Sequence, residues 1–465
     1  MSEEKLVPKL RFPSYSSEWH SYTLGEILTF YSTNSFSREK LNYDTGSVKN
    51  IHYGDIHTKF PSIVSVSDNK DIPFINNEID LSKYSEDQYL QNGDLIIADA
   101  SEDYEDIGKA IEVKNIDDEK VLAGLHTILA RDNNNITVNG FKAYLFSTNS
   151  LKTKIKIIAN GISVLGISKN SLSKLTVNVP SKNEQNDVVD FISLIDNKIE
   201  LLEQKHQYYL DFKKFLMQQI FAQKLRFADD ENWVTVTIAN IFDNITDYVA
   251  AGSFADIRKN VTYLKDPDYA QLIRTADLKS NFTNGDFVYV DKHAFEYLWR
   301  VNLDEPCIVL PNIGNIGEVY YINPKELPYS NNALAPNAIL LKSNDNIKFK
   351  YYLLESPYFK NQLDIINEAG GRGKFNKTNL KKIKIKVPNN DLEKEKIAKC
   401  LSNVDNKLKL FNIQLIEMQE FKKGLLQQMF VVRINWRCNF KLAKSPSFNK
   451  HLLILKNKII FIIIK

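Results

Sequence analysis

The sequence predicts an α+β fold of two α/β globular units and two long helices, one unit-plus-helix being repeated inside the chain. Three observations carry this. A stretch starting at Glu184 recurs from Glu393, 209 residues later. In it Asp196-Asn197-Lys198 matches Asp405-Asn406-Lys407, Phe212-Lys213-Lys214 matches Phe421-Lys422-Lys423, and Gln218-Gln219 matches Gln427-Gln428. Both copies carry a heptad pattern. The segments ahead of them correspond too: Lys9-Leu10-Arg11-Phe12 returns as Lys224-Leu225-Arg226-Phe227, each followed by a polar turn and a tryptophan, Trp19 or Trp233.

The heptads specify the helices. Steps of four and three from Val188 pass through Ile192, Ile195, Ile199, Leu202, His206, Tyr209, Lys213, Leu216 and Ile220, eight of ten apolar. The walk from Ile397 through Leu401, Val404, Leu408, Phe411, Leu415, Met418, Lys422, Leu425 and Met429 gives nine of ten. A 3.5-residue repeat held this long predicts a helix whose apolar seam faces another helix. About 40 residues make a rod of about 60 Å, and the expected partner of each rod is the other. Lys213 and Lys422 hold the same seam position. Such a lysine either fixes register or snorkels at the rod's end; the sequence leaves both open. Asp196, Asn197, Lys198, Asp405, Asn406 and Lys407 fall on less apolar positions and are expected to serve helix pairing or partner docking.

The expected boundaries are 1–180 and 225–388 for the globular units, 181–224 and 389–430 for the helices, and 431–465 for a tail outside the repeat. Within the units, Ile63 to Val66, Asp94 to Ala98, Val121 to Ala130, Phe287 to Val290, Cys307 to Leu310, Val319 to Ile322 and Ala338 to Leu341 read as short strands punctuated by Gly, Asn, Asp and Pro. Helices are expected near Lys142 to Ala159 and Phe349 to Glu368. Weaker matches survive: Gly54-Asp55-Ile56 with Ala276-Asp277-Leu278, and Ile107-Gly108-Lys109 with Ile316-Gly317-Glu318. Each unit closes on an alternating strand and Val179-Pro180 or Val387-Pro388, where proline ends the strand.

Charge narrows the function. The net +3 includes eight Lys or Arg and no Asp or Glu in 431–465; without them the chain is acidic by five, and residues 1–180 are acidic by the same amount. Strong autonomous nucleic-acid binding calls for a basic excess that is missing here, so such binding would need local patches or a basic partner. Cys307, Cys400 and Cys438 lack metal-ligand spacing and point to a reducing compartment, hence the cytoplasm. The N-terminus does not read as a secretion signal. The tail ends HLLILKNKIIFIIIK, too short and too interrupted by lysine to span a bilayer; it is expected to be disordered or interfacial, and no membrane association is expected of the chain.

Two loops carry the local patches. From Ala369 to Asn390 stand Arg372, Lys374, Lys377, Lys381, Lys382, Lys384 and Lys386 with no acid; Leu151 to Pro180 has Lys152, Lys154, Lys156, Lys169 and Lys174, again with none. Glycine lets backbone approach a phosphate, cations neutralise it, and Asn, Ser and Arg read base edges. The candidate DNA contacts are Asn160, Gly161, Ser163, Lys169, Gly371, Arg372, Lys374, Asn376 and Lys377. Lysines alternating along the closing strand read equally as a solvated face. Asp268, Asp277 and Lys279 resemble a metal-nuclease pattern, but the first copy has His57 in place of the lysine. Gly370 to Lys374 misses phosphate-loop spacing. No residue set reads as catalytic, metal-binding or cofactor-binding. A coiled-coil adaptor without DNA readout, or a metal-dependent nuclease, are the alternatives.

Taken together, these residues resemble the specificity subunits of type I restriction–modification systems. The resemblance runs from Lys9 to Phe430. It rests on the duplication, the Asp-Asn-Lys helices, Pro180 with Glu184-Gln185, the Phe-Lys-Lys and Gln-Gln pairs, Gly54 to Ile56, Gly93 to Leu95 and Ile107 to Lys109. The second copy departs from it at Glu393-Lys394 and at Glu305-Pro306-Cys307, and the tail has no counterpart. The resemblance implies that the globular units are target-recognition domains, each reading half of a split, asymmetric site in double-stranded DNA. The helices would pair antiparallel, space the half-sites and dock two modification subunits. Those partners would bring S-adenosylmethionine and adenine methylation; restriction subunits would add ATP- and Mg-dependent translocation and cleavage. This chain would itself be non-catalytic.

Overall fold

The computed structural model describes residues 7–67, 69–228, 232–368 and 373–430. Two 40-residue helices, Lys182–Phe221 and Asp391–Phe430, stand out. The chain divides into two compact units, 1–196 with 419–465, and 197–418, so each unit holds one globular head and a part of both rods.

In the first head, a five-stranded sheet runs in the order Thr29–Tyr31, Thr127–Arg131, Leu95–Ala98, Ala110–Lys114, Ile63–Ser65, antiparallel except for the last pair. A smaller sheet pairs Val121–Ala123 parallel to Lys49–Ile51. The core between them is Ile51, Ile56, Ile96, Ile111, Val121 and Leu129 with their neighbours, all buried. The second head repeats this scheme. Asn244–Asp247, Ala338–Lys342, Cys307–Pro311 and Tyr320–Ile322 form an antiparallel sheet, and Ala270–Ile273 runs parallel to Asn332–Leu334. The closing strands pair back onto the opening ones: Thr176–Val179 onto His20–Thr23, and Lys384–Pro388 onto Trp233–Thr237.

Four sequence expectations change. The strand expected from Val121 to Ala130 is two strands, broken at Gly124–His126, where His126 has φ +54°. Asp94 lies outside its strand: its N–H closes a turn onto the Gln91 carbonyl at 3.0 Å, and its carboxylate is buried on Arg131, at 2.8 and 2.7 Å. The helix near Lys142 to Ala159 is two, Phe141–Phe146 and Asn149–Ile158, divided where the Thr148 hydroxyl accepts the Leu151 N–H as an N-cap. Its counterpart divides into Ile347–Glu355 and Pro357–Glu368 at Ser356-Pro357, where the Ser356 hydroxyl caps Phe359 and proline begins the new helix. The basic and apolar tail lies outside the described residues.

Every seam residue of both heptad walks is buried or half-buried. In the second unit, Tyr209 packs on Phe411, and Leu216, Ile220 and Phe221 share a core with Ile397, Leu401 and Val404. Rising numbers on one helix meet falling numbers on the other, so the rods run antiparallel.

Candidate nucleic-acid interface

The repeated Asp of each head sits on a short helix, Tyr53–Thr58 or Thr275–Lys279, and is buried. Buried carboxylates need paired donors, and each finds an arginine. Arg38 holds Asp55 through two bonds of 2.7 Å, with Lys59 at 3.2 Å. Arg274 holds Asp277 at 2.7 and 3.1 Å. The arginines come from different places in the sequence, so only the carboxylate was legible as a repeat. Asp277 is thereby a structural anion. Asp268 accepts the Tyr269 N–H, and Lys279 pairs with Glu318 at 3.1 Å. The nuclease-like trio is thus dispersed into three other contacts. Among the described residues, no three His, Cys, Asp or Glu side chains are placed to hold a metal.

The Ile-Gly-Lys and Ile-Gly-Glu turns brace these helices. Lys109 Nζ donates to the His57 carbonyl at 2.7 Å. At the matching positions, Glu318 accepts Lys279, so the sign is exchanged and the join kept. Gly108 has φ +73°, and a Cβ there would lie 2.5 Å from Ile155.

Beside each turn lies the loop expected to contact DNA. In the first head, Asn160 and Gly166 exchange backbone hydrogen bonds of 3.0 and 2.8 Å, and Leu165–Gly166 pairs with Ala100–Ser101. His57 Nε2 lies 3.1 Å from the Ala100 carbonyl, so the hairpin adjoins the Asp55 helix. Gly161 (φ +134°) makes the tip possible: a Cβ would sit 2.0 Å from the Val164 carbonyl oxygen. Asn160, Gly161 and Ser163 are exposed, and the Asn160 amide donates to the Ile158 carbonyl at 3.1 Å. In the second head, Lys374 bridges Ile313 and is exposed, while Gly371 and Arg372 lie outside the described residues.

The remaining candidates are tied inward. Ser168 and Asn376 cap short helices whose first residues are Lys169 and Lys377. Lys169 Nζ donates to the Tyr31 carbonyl at 2.6 Å; burial lowers its pKa, with Asp99 opposing. Lys377 pairs with Asp247 at 3.1 Å. Both lysines fasten the short helix to the neighbouring edge strand. The first head also sets Glu102, Asp103 and Glu105, all exposed, on the turn beside its hairpin. Ile162 is fully exposed at the hairpin tip. No motif marks Ile162 or Arg38 in the sequence; a lone isoleucine between glycine and serine is the available signal.

The Asp-Asn-Lys motifs divide by face. Asp196 accepts Tyr144 Oη at 2.9 Å and Lys422 Nζ, from the other rod, at 2.5 Å. Asp405 accepts Tyr352 Oη at 2.7 Å and Lys213 Nζ at 2.8 Å. Each aspartate joins one head and both rods, and each seam lysine also lies over the tyrosine ring, at 5.4 and 5.6 Å. Burial, first of all, raises both tyrosine pKa values. Asn197, Lys198, Asn406 and Lys407 face outward. At the rod starts, Arg11 clamps Glu184 with two bonds of 2.7 Å, joined by Trp19 at 3.2 Å. Arg226 clamps Glu393 at 2.7 and 3.0 Å. Burial alone would raise the Glu393 carboxyl, but Arg226 and the Phe227 N–H outweigh it and hold the pKa below the ordinary value.

The model of the type I restriction modification DNA specificity domain matches residues 16–208 and again 230–418. A specificity subunit of the type I restriction enzyme MjaX from Methanocaldococcus jannaschii is 34% identical over 110 residues, 23% of this chain; the match spans only 25% of that relative. A crystal structure of a type I restriction-modification S subunit from M. genitalium aligns over 92% of this chain and 100% of its own, with a TM-score of 0.54 and 15% identity. A second solved structure, from work on complex assembly and conformational transition of the type I R-M system, covers 88% and 96%, with a TM-score of 0.51 and 14% identity. At these identities the structures establish the shared fold.

Proposed function

We propose, from the premise that this chain belongs to the type I restriction–modification DNA specificity family, that its heads, 1–180 and 225–388, each read one half of a bipartite, asymmetric duplex sequence. The segments 181–224 and 389–430 act as the spacer and dock two modification subunits through outward residues such as Asn197, Lys198, Asn406 and Lys407. S-adenosylmethionine and adenine methylation belong to those partners, and ATP- and Mg-dependent cleavage to restriction subunits. The chain supplies the address and no catalytic group.

One observation carries this reading: both heads build the same surface from matched elements and then furnish it with different side chains. Equal frames suit two copies of one partner; unequal surfaces suit an asymmetric site. The carboxylates beside the first hairpin favour weak DNA binding by the chain alone and tight binding in the complex, where partners neutralise phosphates.

Head exchange tests it. Replacing residues 1–180 with the equivalent unit of another family member should change one half of the methylated sequence in cells and preserve the other. If both halves change, or neither does, the two-reader model is wrong.

A further inference from the structure

Each head contains one exposed polar residue in the left-handed backbone region at the same place in the sheet. In the first it is His126, φ +54°, between Val121–Ala123 and Thr127–Arg131. In the second it is Asn337, φ +72°, between Asn332–Leu334 and Ala338–Lys342. The surroundings correspond bond for bond. The His126 carbonyl accepts the Asp99 N–H at 3.1 Å, and the Asn337 carbonyl accepts the Asn312 N–H at 3.1 Å. The Asp99 carbonyl in turn accepts the Ile167 N–H at 2.9 Å, and the Asn312 carbonyl accepts that of Phe375 at 3.1 Å. Asp99 and Asn312 therefore link each turn to the residue that follows the glycine-bearing loop. Sequence matching does not reveal the pair, because Leu125-His126-Thr127 and Pro336-Asn337-Ala338 share no residue.

A left-handed turn by itself calls for glycine or asparagine. Glycine stands at neither position, and both side chains that do stand there can read base edges. Asn337 can donate and accept at once, which suits adenine in the major groove. His126 is half-exposed, with Nδ1 3.5 Å from the Asp99 carboxylate. That neighbour takes the Nδ1 side of the ring, so Nε2 is the nitrogen placed to meet a base edge. The Tyr53 ring stands edge-on at 5.3 Å and restricts the imidazole. A rigid side chain on a pinned turn is what discrimination at a base edge requires.

We propose that His126 and Asn337 are equivalent specificity-determining residues, one per head, each contacting a base edge of its own half-site in duplex DNA. This rests on the reading of the heads as DNA readers. The two contacts explain how one frame reads two sequences: the turn is held, and the chemistry of a single outward group is exchanged.

Glycine substitution tests the proposal, because glycine keeps the left-handed turn while removing the side chain. Cells carrying the complete system with His126→Gly or Asn337→Gly are compared with wild type by sequencing methylated adenines, alongside melting curves of the purified variants. The expected result is that each variant melts like wild type and loses discrimination, by about tenfold or more, at one position of one half-site. The two variants affect opposite halves, with spacing unchanged. Unaltered sequences at full methylation, or a collapse of melting temperature, overturn the proposal and leave the two-reader model standing; equal loss in both halves overturns the proposal and counts against that model as well. If wild-type cells show no split sequence that depends on this chain, the underlying reading fails first. His126→Asn is a second variant: it keeps a residue suited to the turn and should move the affected position toward adenine.

Discussion

Asp196 and Asp405 use both carboxylate oxygens on different elements, one on a head tyrosine and one on the lysine of the opposite rod. A lysine at an apolar seam costs desolvation unless it is paired, and an antiparallel pairing brings Lys422 to Asp196 and Lys213 to Asp405. This decides between the two roles that the sequence left open for the lysines: each is a register contact. Both members are partly exposed, so the loss lies between that of a surface pair and that of a buried one. Asp196→Asn should cost about 1–2 kcal/mol of stability. A double-mutant cycle with Lys422→Met should return a coupling of about 1 kcal/mol, read from denaturant midpoints. Additive effects would deny the contact. Glu393 makes a separate prediction. A carboxyl whose pKa is lowered by folding contributes stability that is whole above the unfolded value, about 4.3 for glutamate, and lost as pH falls through the folded value. Glu393→Gln should therefore lie below wild type at pH 7, and the gap should narrow as pH falls below the unfolded value; a gap that does not narrow in acid removes this account.

At the scale of elements, the long helices were legible because a seam repeated over ten positions is hard to produce by chance, and the sheet-closing strands because they alternate and end in Val-Pro. The breaks at Thr148 and Ser356-Pro357 were less so, since periodicity runs on through a helix-to-helix junction, marked only by the capping hydroxyls and, in the second head, by Pro357. Much of the candidate site was legible as composition and little of it as geometry. Lys169 and Lys377 count as basic residues in a sequence but are anchored to Tyr31 and Asp247. The turn residues His126 and Asn337 share no local motif, because the sheet, not the sequence around them, makes them equivalent. The hairpin at 160–166 gives the element-scale prediction. Gly161→Ala must reshape the tip, where the new Cβ meets the Val164 carbonyl oxygen. The head core lies elsewhere, so the melting temperature should change little. Methylation of sequences altered only in the first half should show whether the tip takes part in reading; wild-type selectivity in that variant would confine the hairpin to a structural role.

Across the whole molecule, the repeat continues through a point where the chain does not. Ala222 and Gln223 carry the first rod into Lys224-Leu225-Arg226-Phe227, and the Leu225 N–H donates to the Gln219 carbonyl at 3.1 Å. At the end of the second rod, the matching Gln428 carbonyl accepts the Leu10 N–H at 2.9 Å, and Phe430 packs on Trp19 as Phe221 packs on Trp233, at 6.2 Å in both. The Arg11–Glu184 and Arg226–Glu393 clamps then secure the two junctions alike. One junction is covalent and the other is not, yet they make the same contacts. The order of the units along the chain is thus incidental to the packing, which depends on the rods and clamps. A permuted chain that begins at Lys224, runs through Phe430, crosses by Ala-Gln to Lys9 and ends at Gln223 should therefore fold. Its melting temperature should lie within a few degrees of that of the same residues in native order, because breaking and making equivalent loops changes closure entropy little. It should also direct methylation to an unchanged sequence. Aggregation of the permuted chain, or a new spacing between half-sites, would show that the covalent junction at Ala222-Gln223 sets the geometry and that the contacts around Leu10 only imitate it.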